Sequence, residues 1–525
     1  MIVVAYKTEQ VGRGIKIFES SGASIFTARL DKVFSFLLEP QAPSYWEPPF
    51  DRCIRVVWEL DATVAPILKL LGSVKCRKLK DTHKCYLAPF NIFYMPGKVF
   101  TVEHIPTKNR ASLYDLQQYF PELDDPSDVE EVQMLGRKLL YELKKMDMEP
   151  TKLTSPVKIY EECVLDYLDL PKLQDIPKEV ALYSGACMGR SWVEAHQLGY
   201  WPEAKDYDIQ SAYSSIAKDL PDIRYCRWLE SKNYQPDAIF GFTRAEVTIN
   251  PGVMVHPIMF ETEDGSLESR VGTWERYTQK CELDFIDKWG IGEYKILDGY
   301  WMMPPKHLKG ELPKPLKQCT ERLLAYKQIT GLQSALAKRM SMFSGKFGEQ
   351  RQNGFGPLFN PVWKAEINTQ VSLQVADWLY SQGVGPGNEG KYRYLIHVSV
   401  DGVLLTIDLP TRGQWRQSYT GPALSVSSGL LYYANKKPKG LRLEDIRAML
   451  EEHPNKGYYE KQLKRRVTLG DALGDSGKFG DLGQEKVMVS TIDLYRLSHD
   501  RNFAKLPQTG GALLKNKYRS KPRRV

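Results

Sequence analysis

The sequence predicts a mixed α/β and α+β protein of several domains, organised around two acidic strand ends. Three observations carry this. The chain has 525 residues, 42% of them hydrophobic and 26% charged, which is enough for two to four domains with cores of their own. Runs of strand-like alternation interleave with stretches of helical period. Two of the strand-like runs, Lys205–Ile216 (KDYDIQSAYSSI) and Val398–Thr406 (VSVDGVLLT), bring Asp208 and Asp401 to strand ends. Two carboxylates so placed are what a two-metal phosphoryl-transfer centre needs, since they must bridge cations about 3.5–4 Å apart.

Composition narrows the partners. A net charge of +8 leans toward a polyanion. The eight cysteines contain no C-x-x-C pair and the eight histidines no H-x-x-x-H, so structural zinc is not expected and reduced thiols are. The apolar run in MIVVAYKTEQ is too short for a signal peptide, and no stretch of 18 apolar residues occurs. The expectation is a soluble cytoplasmic protein with no membrane partner.

In chain order, residues 1–150 read as an α/β unit. Cys53–Trp58 is a buried strand, Val64–Leu71 begins a helix, and Tyr86–Pro96 with Lys98–Val102 forms a hairpin turned at Pro96-Gly97. Leu113–Phe120 and Val129–Met146 have the spacing of amphipathic helices. The carboxylates Glu9, Glu59, Asp61, Asp115 and Asp147 read as solvated charges rather than a nuclease centre, because no D-x-E pair stands on the first strand. Residues 151–203 are irregular and punctuated by proline, as a linker is. Within them Tyr183–Arg190 (YSGACMGR) suits either a loop approaching a phosphate chain or an ordinary tight turn.

After Asp208, the segments Ala238–Asn250, Val255–Glu261, Thr273–Glu275 and Tyr294–Trp301 read as antiparallel strands continuing the sheet that holds it, with Leu283–Gly290 helical. Leu316–Phe347 is long, basic and mostly helical, interrupted near Gly331. Lys327 and Lys338, eleven residues apart, would lie within about 20° of each other on one helical face, with Arg322 and Arg339 nearby. Alone, such cations are a solvated surface. Running into Ser344–Glu349 (SGKFGE), they suit the grip on an incoming triphosphate.

These stretches, in this order, resemble the family B DNA polymerases, in particular the compact protein-primed type of small phages and linear plasmids. That family's motif A, an Asp, two variable residues and Ser-Leu-Tyr-Pro-Ser-Ile, is similar to Asp208-Ile-Gln-Ser-Ala-Tyr213-Ser-Ser-Ile216. Motif B, a Lys followed by Asn-Ser-x-Tyr-Gly, is matched loosely by Lys338 through Gly348, with no Asn or Tyr and with Lys338 one residue out of register. Motif C, Asp-Thr-Asp, stands as Ser399-Val400-Asp401, so its first carboxylate is Ser399 here. The resemblance covers roughly residues 180–440.

What the resemblance implies is a right-hand polymerase behind an RNase H-like exonuclease-type domain. It implies metal ligation by Asp208, Asp401 and the Ile209 carbonyl. It implies dNTP binding by Lys338, Lys327, Arg339, Ser211, Ala212 and Tyr213, with Tyr213 the steric gate against a ribose 2′-hydroxyl. DNA contacts fall to Tyr183, Gly185 and Arg190 of the loop joining exonuclease to polymerase, to Gly345 and Lys346, and to Lys436, Lys437 and Lys439. In the exonuclease motifs Glu59 and Thr63 replace Asn and Asp, and Asp147 lacks its tyrosine partner, so proofreading is expected to be lost.

The implied layout is a degenerate exonuclease-like domain at 1–150, a linker at 151–203, palm at 204–315 and 348–440, fingers at 316–347, and thumb with basic tail at 441–525. The short stretch from Gly348 to motif C leaves little room for a strand-displacing insertion. The implied activity is template-directed DNA synthesis on primer–template DNA from dNTPs, with two Mg²⁺ ions for which Mn²⁺ can substitute. A terminal protein or other replication proteins are further partners. The alternatives are a catalytically silent polymerase-like protein that binds nucleic acid, and a nuclease using the N-terminal carboxylates.

Overall fold

The computed structural model describes residues 2–39, 53–261, 267–305, 311–351, 354–386, 389–428, 430–435, 442–452, 458–474, 479–493 and 512–513. The chain opens with strands β1 (Ile2–Val11), β2 (Gly14–Glu19) and β3 (Ser24–Thr27), helix α1 (Leu30–Leu38), strand β4 (Cys53–Val57), and helices α2 (Leu60–Leu71) and α3 (Ser73–Thr82). A meander follows of β5 (Lys84–Leu87), β6 (Phe90–Met95), β7 (Val99–His104) and β8 (Arg110–Asp115), then helices α4 (Val129–Lys145) and α5 (Pro156–Tyr167). One sheet takes all eight strands in the order β3-β2-β1-β4-β8-β7-β6-β5, with β4 parallel to β1 and to β8.

Alternation decides what covers this sheet. Val4 and Tyr6 of β1 join a core with Phe34 of α1, Leu68 of α2 and Leu79 of α3. Val3 faces the other way, toward α4, where Gly136 permits close approach: a Cβ there would lie 2.8 Å from Val3 Cγ1. Asp128 caps α4 by accepting from the Glu131 N–H. Leu113–Phe120 is not a helix. Its first residues belong to β8, and only Gln117–Tyr119 turns, as one 3₁₀ step. Parallel pairing with β4 buries the segment, and the Asp115 carboxylate accepts from the Leu60 and Gln117 N–H groups, tying strand to helix.

The stretch expected as an irregular linker is largely helical: α5, then α6 (Lys178–Cys187), which contains the first part of YSGACMGR. The chain continues through β9 (Val193–Ala195), β10 (Gln197–Ile209), α7 (Ala212–Ala217), β11 (Arg227–Glu230), β12 (Phe240–Ile249), β13 (Met259–Glu261), β14 (Leu267–Ser269), β15 (Gly272–Gln279), α8 (Lys280–Trp289) and β16 (Gly292–Met303). Strands β11-β16-β12-β15 form a separate four-stranded antiparallel sheet. They do not extend the sheet holding Asp208, as the sequence suggested; that sheet recruits later strands instead.

Helices α9 (Lys317–Tyr326) and α10 (Leu332–Met340) follow, separated by a turn with Gly331 at φ +81°. Lys327 lies in that turn and its carbonyl accepts from Ser334 Oγ at 3.0 Å, so the one-face geometry expected for Lys327 and Lys338 does not form. After a 3₁₀ segment, Ser341–Gly348, and the short hairpin β17 (Gln350–Arg351) and β18 (Gly354–Phe355), comes α11 (Pro361–Ser381). Then follow β19 (Leu395–Ser399), β20 (Gly402–Leu405), β21 (Trp415–Ser427), β22 (Leu430–Tyr433), α12 (Leu443–Glu452), β23 (Tyr458–Arg466), α13 (Leu469–Leu473), β24 (Glu485–Asp493) and β25 (Ala512–Leu513). The sheet around Asp208 runs β22-β21-β10-β20-β19-β9, with β25 beside the start of β10.

The chain groups into two compact units. The first holds Met1–Tyr167, Ala325–Met340 and Glu460–Ser490; the second holds Leu168–Leu324, Ser341–Tyr459 and Thr491–Val525. In the second, Val371, Val375 and Leu379 of α11 are fully buried with Tyr207 and Ile209 of β10, Val398 of β19 and Val403 of β20. Each such side chain contributes about 1.5–3 kcal/mol when fully buried. The ends of β10 and of the β19–β20 hairpin therefore rest on a rigid floor. Among the described residues no helix is long and apolar enough to cross a membrane.

Candidate active site

Strand β10 lies between β20 and β21, with Asp208 opposite Gly402 on one side and Arg416 on the other. The two-residue period puts Asp206 on the same face as Asp208. The β19–β20 hairpin pairs Ser399 with Gly402 and turns through Val400 and Asp401. Two constraints fix that turn. Val400 has φ +48°, a region that a β-branched residue rarely enters, and its N–H donates to the Trp192 carbonyl at 3.0 Å. Gly402 is required: a Cβ there would stand 2.7 Å from the Tyr207 carbonyl oxygen. The Ile209 N–H donates to the Asp401 carbonyl at 2.9 Å, pinning the two strand ends together.

The result is a cavity of about 410 Å³ lined by Asp206, Asp208 and Asp401 with His397, Ser399 and Tyr433. The structure thus brings together Asp208 and Asp401, paired in the sequence reading, and adds a third carboxylate. Asp206 is 7% exposed and accepts from Ser418 Oγ at 2.7 Å and from the Tyr433 hydroxyl. Its signal was the period of KDYDI, which puts both acids on one face. Ser399 bonds its hydroxyl to His397 Nδ1 at 3.1 Å.

Asp208 is held by an arginine that sequence reasoning missed. Arg416 Nε reaches Oδ1 at 2.7 Å and Nη2 reaches Oδ2 at 3.1 Å, a two-pronged pair. Only the β10–β21 register makes the two neighbours. Burial first, then the charges of Asp208 and Asp206, raise the Asp401 pKa above the ordinary carboxylate value, while Arg416 opposes the rise. Three carboxylates facing one guanidinium leave the cavity electronegative.

Among the described residues, no three His, Cys, Asp or Glu side chains are gathered closely enough to hold a metal ion as they stand. Both oxygens of Asp208 are engaged by Arg416. The donor set nevertheless fits a hard divalent cation. It is oxygen-rich, and the Arg416 guanidinium already stands as a positive charge against it.

Tyr213 follows Ser211, which starts α7 in the left-handed region at φ +57°, and Ala212, which is buried. Burial, with the charge of Asp401 next, pushes the Tyr213 hydroxyl up to about 12. A second missed cation accompanies it. Lys364 of α11 sits 5.7 Å over the Tyr213 ring and donates to Asn368 Oδ1 at 2.9 Å; burial lowers its pKa. The Ser341–Gly348 segment packs on α7, where the Ser341 carbonyl accepts from Ser214 Oγ at 3.2 Å. Gly345 has open space around it, and Lys346 pairs with Glu349 at 3.1 Å.

Other expected positions are placed differently. Lys327, Lys338 and Arg339 belong to the first unit. Tyr183 lies in α6 rather than a loop, its hydroxyl bonded to Asp298 and its ring edge-on to Tyr277 and Tyr300. Gly185 is also in that helix, with open space where a Cβ would stand. Arg190 donates to the Tyr277 carbonyl. The Tyr183 and Arg190 side chains thus bond within the protein in this structure. Lys436, Lys437 and Lys439 lie outside the described residues.

In the first unit, Glu59 and Thr63 line a cavity of about 380 Å³ with Asp125 and Arg466; Asp147 does not line it. On β1 the residues facing it include Tyr6 and Thr8, neither of them acidic. Glu59 pairs with Arg466 at 3.0 Å, and burial raises its pKa in spite of that partner. Thr63 Oγ1 donates to backbone carbonyls at Trp58 and Glu59.

The fold has solved counterparts. Phi29 DNA polymerase complexed with primer-template DNA aligns at a TM-score of 0.56 over 94% of this chain and 99% of its own. Its complex with single-stranded DNA gives 0.55 over 94% and 100%, and its ternary complex with primer-template DNA and incoming nucleotide gives 0.55 over 82% and 86%. The chain folds like phi29 DNA polymerase. At 11% sequence identity the likeness is one of fold. No family model matches the sequence, and no curated protein sequence matches it.

Proposed function

We propose that this chain is a template-directed DNA polymerase that joins the α-phosphorus of a dNTP to a primer 3′-oxygen and releases pyrophosphate. The observation that carries the reading is the meeting of Asp208 and Asp401, from strands far apart in sequence, in one acidic cavity of a phi29-like fold. Asp208, Asp401 and the Ile209 carbonyl would hold the divalent cations, with Asp206 as the added carboxylate. Those ions, when bound, supply charge stabilisation at the transferring phosphoryl group and lower the pKa of the primer hydroxyl. The chain's own residues hold the reacting geometry. The Val400 turn and the Ile209–Asp401 hydrogen bond fix the carboxylates, Tyr213 presents its ring beside them, and Lys364 places a partly desolvated cation next to that ring.

The reading includes loss of 3′–5′ proofreading. Glu59 is paired with Arg466, although Asp125 lines the same cavity, and Thr63 has no charge to offer a metal. A terminal protein remains a partner on the strength of the family resemblance alone. A second reading, binding without catalysis, is favoured by one observation: Arg416 already neutralises Asp208.

Extension of a labelled primer–template with four dNTPs in Mg²⁺ or Mn²⁺, beside a reaction lacking dNTPs, separates these. Extension with no shortening in the control supports a non-proofreading polymerase. Tight binding with no extension in either metal supports the second reading, and shortening without dNTPs contradicts the loss of the exonuclease.

A further inference from the structure

A second ligand surface lies in the first unit, on the outer sheet face of the β5–β8 meander. Strand register sets its pattern. Lys84, Phe93, Thr101 and Ser112 form one cross-strand row, and Tyr86, Asn91, Glu103 and Arg110 form the next. The intervening row, Cys85, Ile92, Val102 and Ala111, points the other way into the core. The two aromatic rings and the cations at both ends of these rows therefore share the face turned away from that core. Tyr86 is 55% exposed, and a cavity of about 550 Å³ opens over the rows. That volume lies within the roughly 300–1,000 Å³ typical of ligand pockets.

The charge around this cavity is one-sided. Lys78, Lys84 and Arg110 line it, and Lys75, Arg77 and Lys80 continue along α3. Among the described residues none of these six cations is joined to a carboxylate. The one acid in the lining, Glu103, accepts from Asn91 at 3.2 Å. Cations that outnumber the nearby carboxylates repel one another, and a chain of phosphates relieves that repulsion while releasing its own counterions. Exposed aromatic rings on a sheet offer stacking surfaces for unpaired bases, whatever their identity. A duplex keeps its bases stacked inside and gains only the phosphate contacts.

We propose that this face binds single-stranded nucleic acid, with bases stacked on Tyr86 and Phe93 and phosphates held by Lys78, Lys84 and Arg110. The site belongs to the first unit, while the acidic cavity proposed for catalysis belongs to the second, so the inference does not rest on the polymerase reading.

Fluorescence anisotropy of the full chain with labelled dT12, U12 and a blunt duplex tests it. The variants are the double substitution Tyr86→Ala/Phe93→Ala and the double substitution Lys78→Gln/Lys84→Gln. Loss of stacking is expected to weaken dT12 or U12 binding about tenfold or more with little change for the duplex. Loss of two phosphate contacts is expected to flatten the salt dependence for single strands by about 1.4 in log–log slope. The tighter of the dT12 and U12 arms says which strand the face takes. Tyr86→Trp should keep the affinity, since the ring is what matters; unaltered thermal melting of each variant excludes unfolding as the cause. Single-strand affinity equal to wild type in both double variants overturns the proposal, and so does an equal loss on the duplex. Primer extension is expected to be unchanged in these variants, so a failed polymerase reading and a failed single-strand site give different results.

Discussion

At the scale of single residues, the acidic cavity is defined by competition for Asp208. Arg416 holds both of its oxygens, yet the pair is partly exposed, with the side chains 53% and 29% accessible, and so contributes about 1 kcal/mol at most. A divalent cation can displace it, but must also tolerate the guanidinium nearby. Arg416→Gln is therefore expected to tighten Mn²⁺ binding by about tenfold, measured by paramagnetic resonance of the free ion. Unchanged or weaker binding would mean that Arg416 organises the site rather than guarding it. Tyr213 makes a separate prediction from its place beside Asp401. Tyr213→Val is expected to admit ribonucleotides, and unaltered discrimination between dNTPs and rNTPs would remove it as the gate.

At the scale of elements, α11 carries a titration with a readable sign. Glu366 is buried there, and burial, with Asp284 and Glu282 adding to it, raises its pKa from 4.5 to about 7. An acid whose folded pKa is raised binds its proton more tightly in the native state. Stability is then full below the unfolded value, falls as pH rises from about 4.5 to about 7, and stays lower above. The loss is about 3 kcal/mol at its upper bound. Glu366→Gln should remove that pH dependence in urea unfolding; a variant that keeps the wild-type slope across this window would contradict the assignment.

The same elements show what the sequence made legible. The mostly apolar strand Cys53–Val57 and the alternating strand Phe240–Ile249 were evident. So were Asp208 and Asp401, because an acid closing an apolar strand stands out. Helix α11 was not, since it is buried on nearly all sides and shows no polar stripe to mark a period. Leu113, Leu116 and Phe120 mimic helical spacing, but pairing with β4 overrode it. The prolines of residues 151–203 read as breaks in the sequence, whereas Pro156 opens α5 and Pro177 immediately precedes α6. Arg416 and Lys364 were missed as site residues because their partners lie far away in sequence, and only register and packing bring them together.

At the scale of the whole molecule, the chain shares a phi29-like fold at 11% sequence identity. Core positions need only hydrophobic side chains of suitable volume, so the scaffold tolerates wide divergence. Asp206, on β10, supplies the acidic cavity with a third carboxylate, whereas Ser399, on β19, supplies none. The proposed polymerase activity belongs to the unit that holds this cavity. The basic sheet face of the other unit adds a place for an unpaired strand.

The most direct test of the account is single-turnover primer extension by wild type and Asp401→Asn, each first shown to be folded and to bind primer–template. The account predicts extension by wild type and a loss on the order of 10²–10³ or more in the variant, with DNA binding retained. Extension by Asp401→Asn at the wild-type rate would contradict it, because the acidic cavity would then not be where the chemistry occurs.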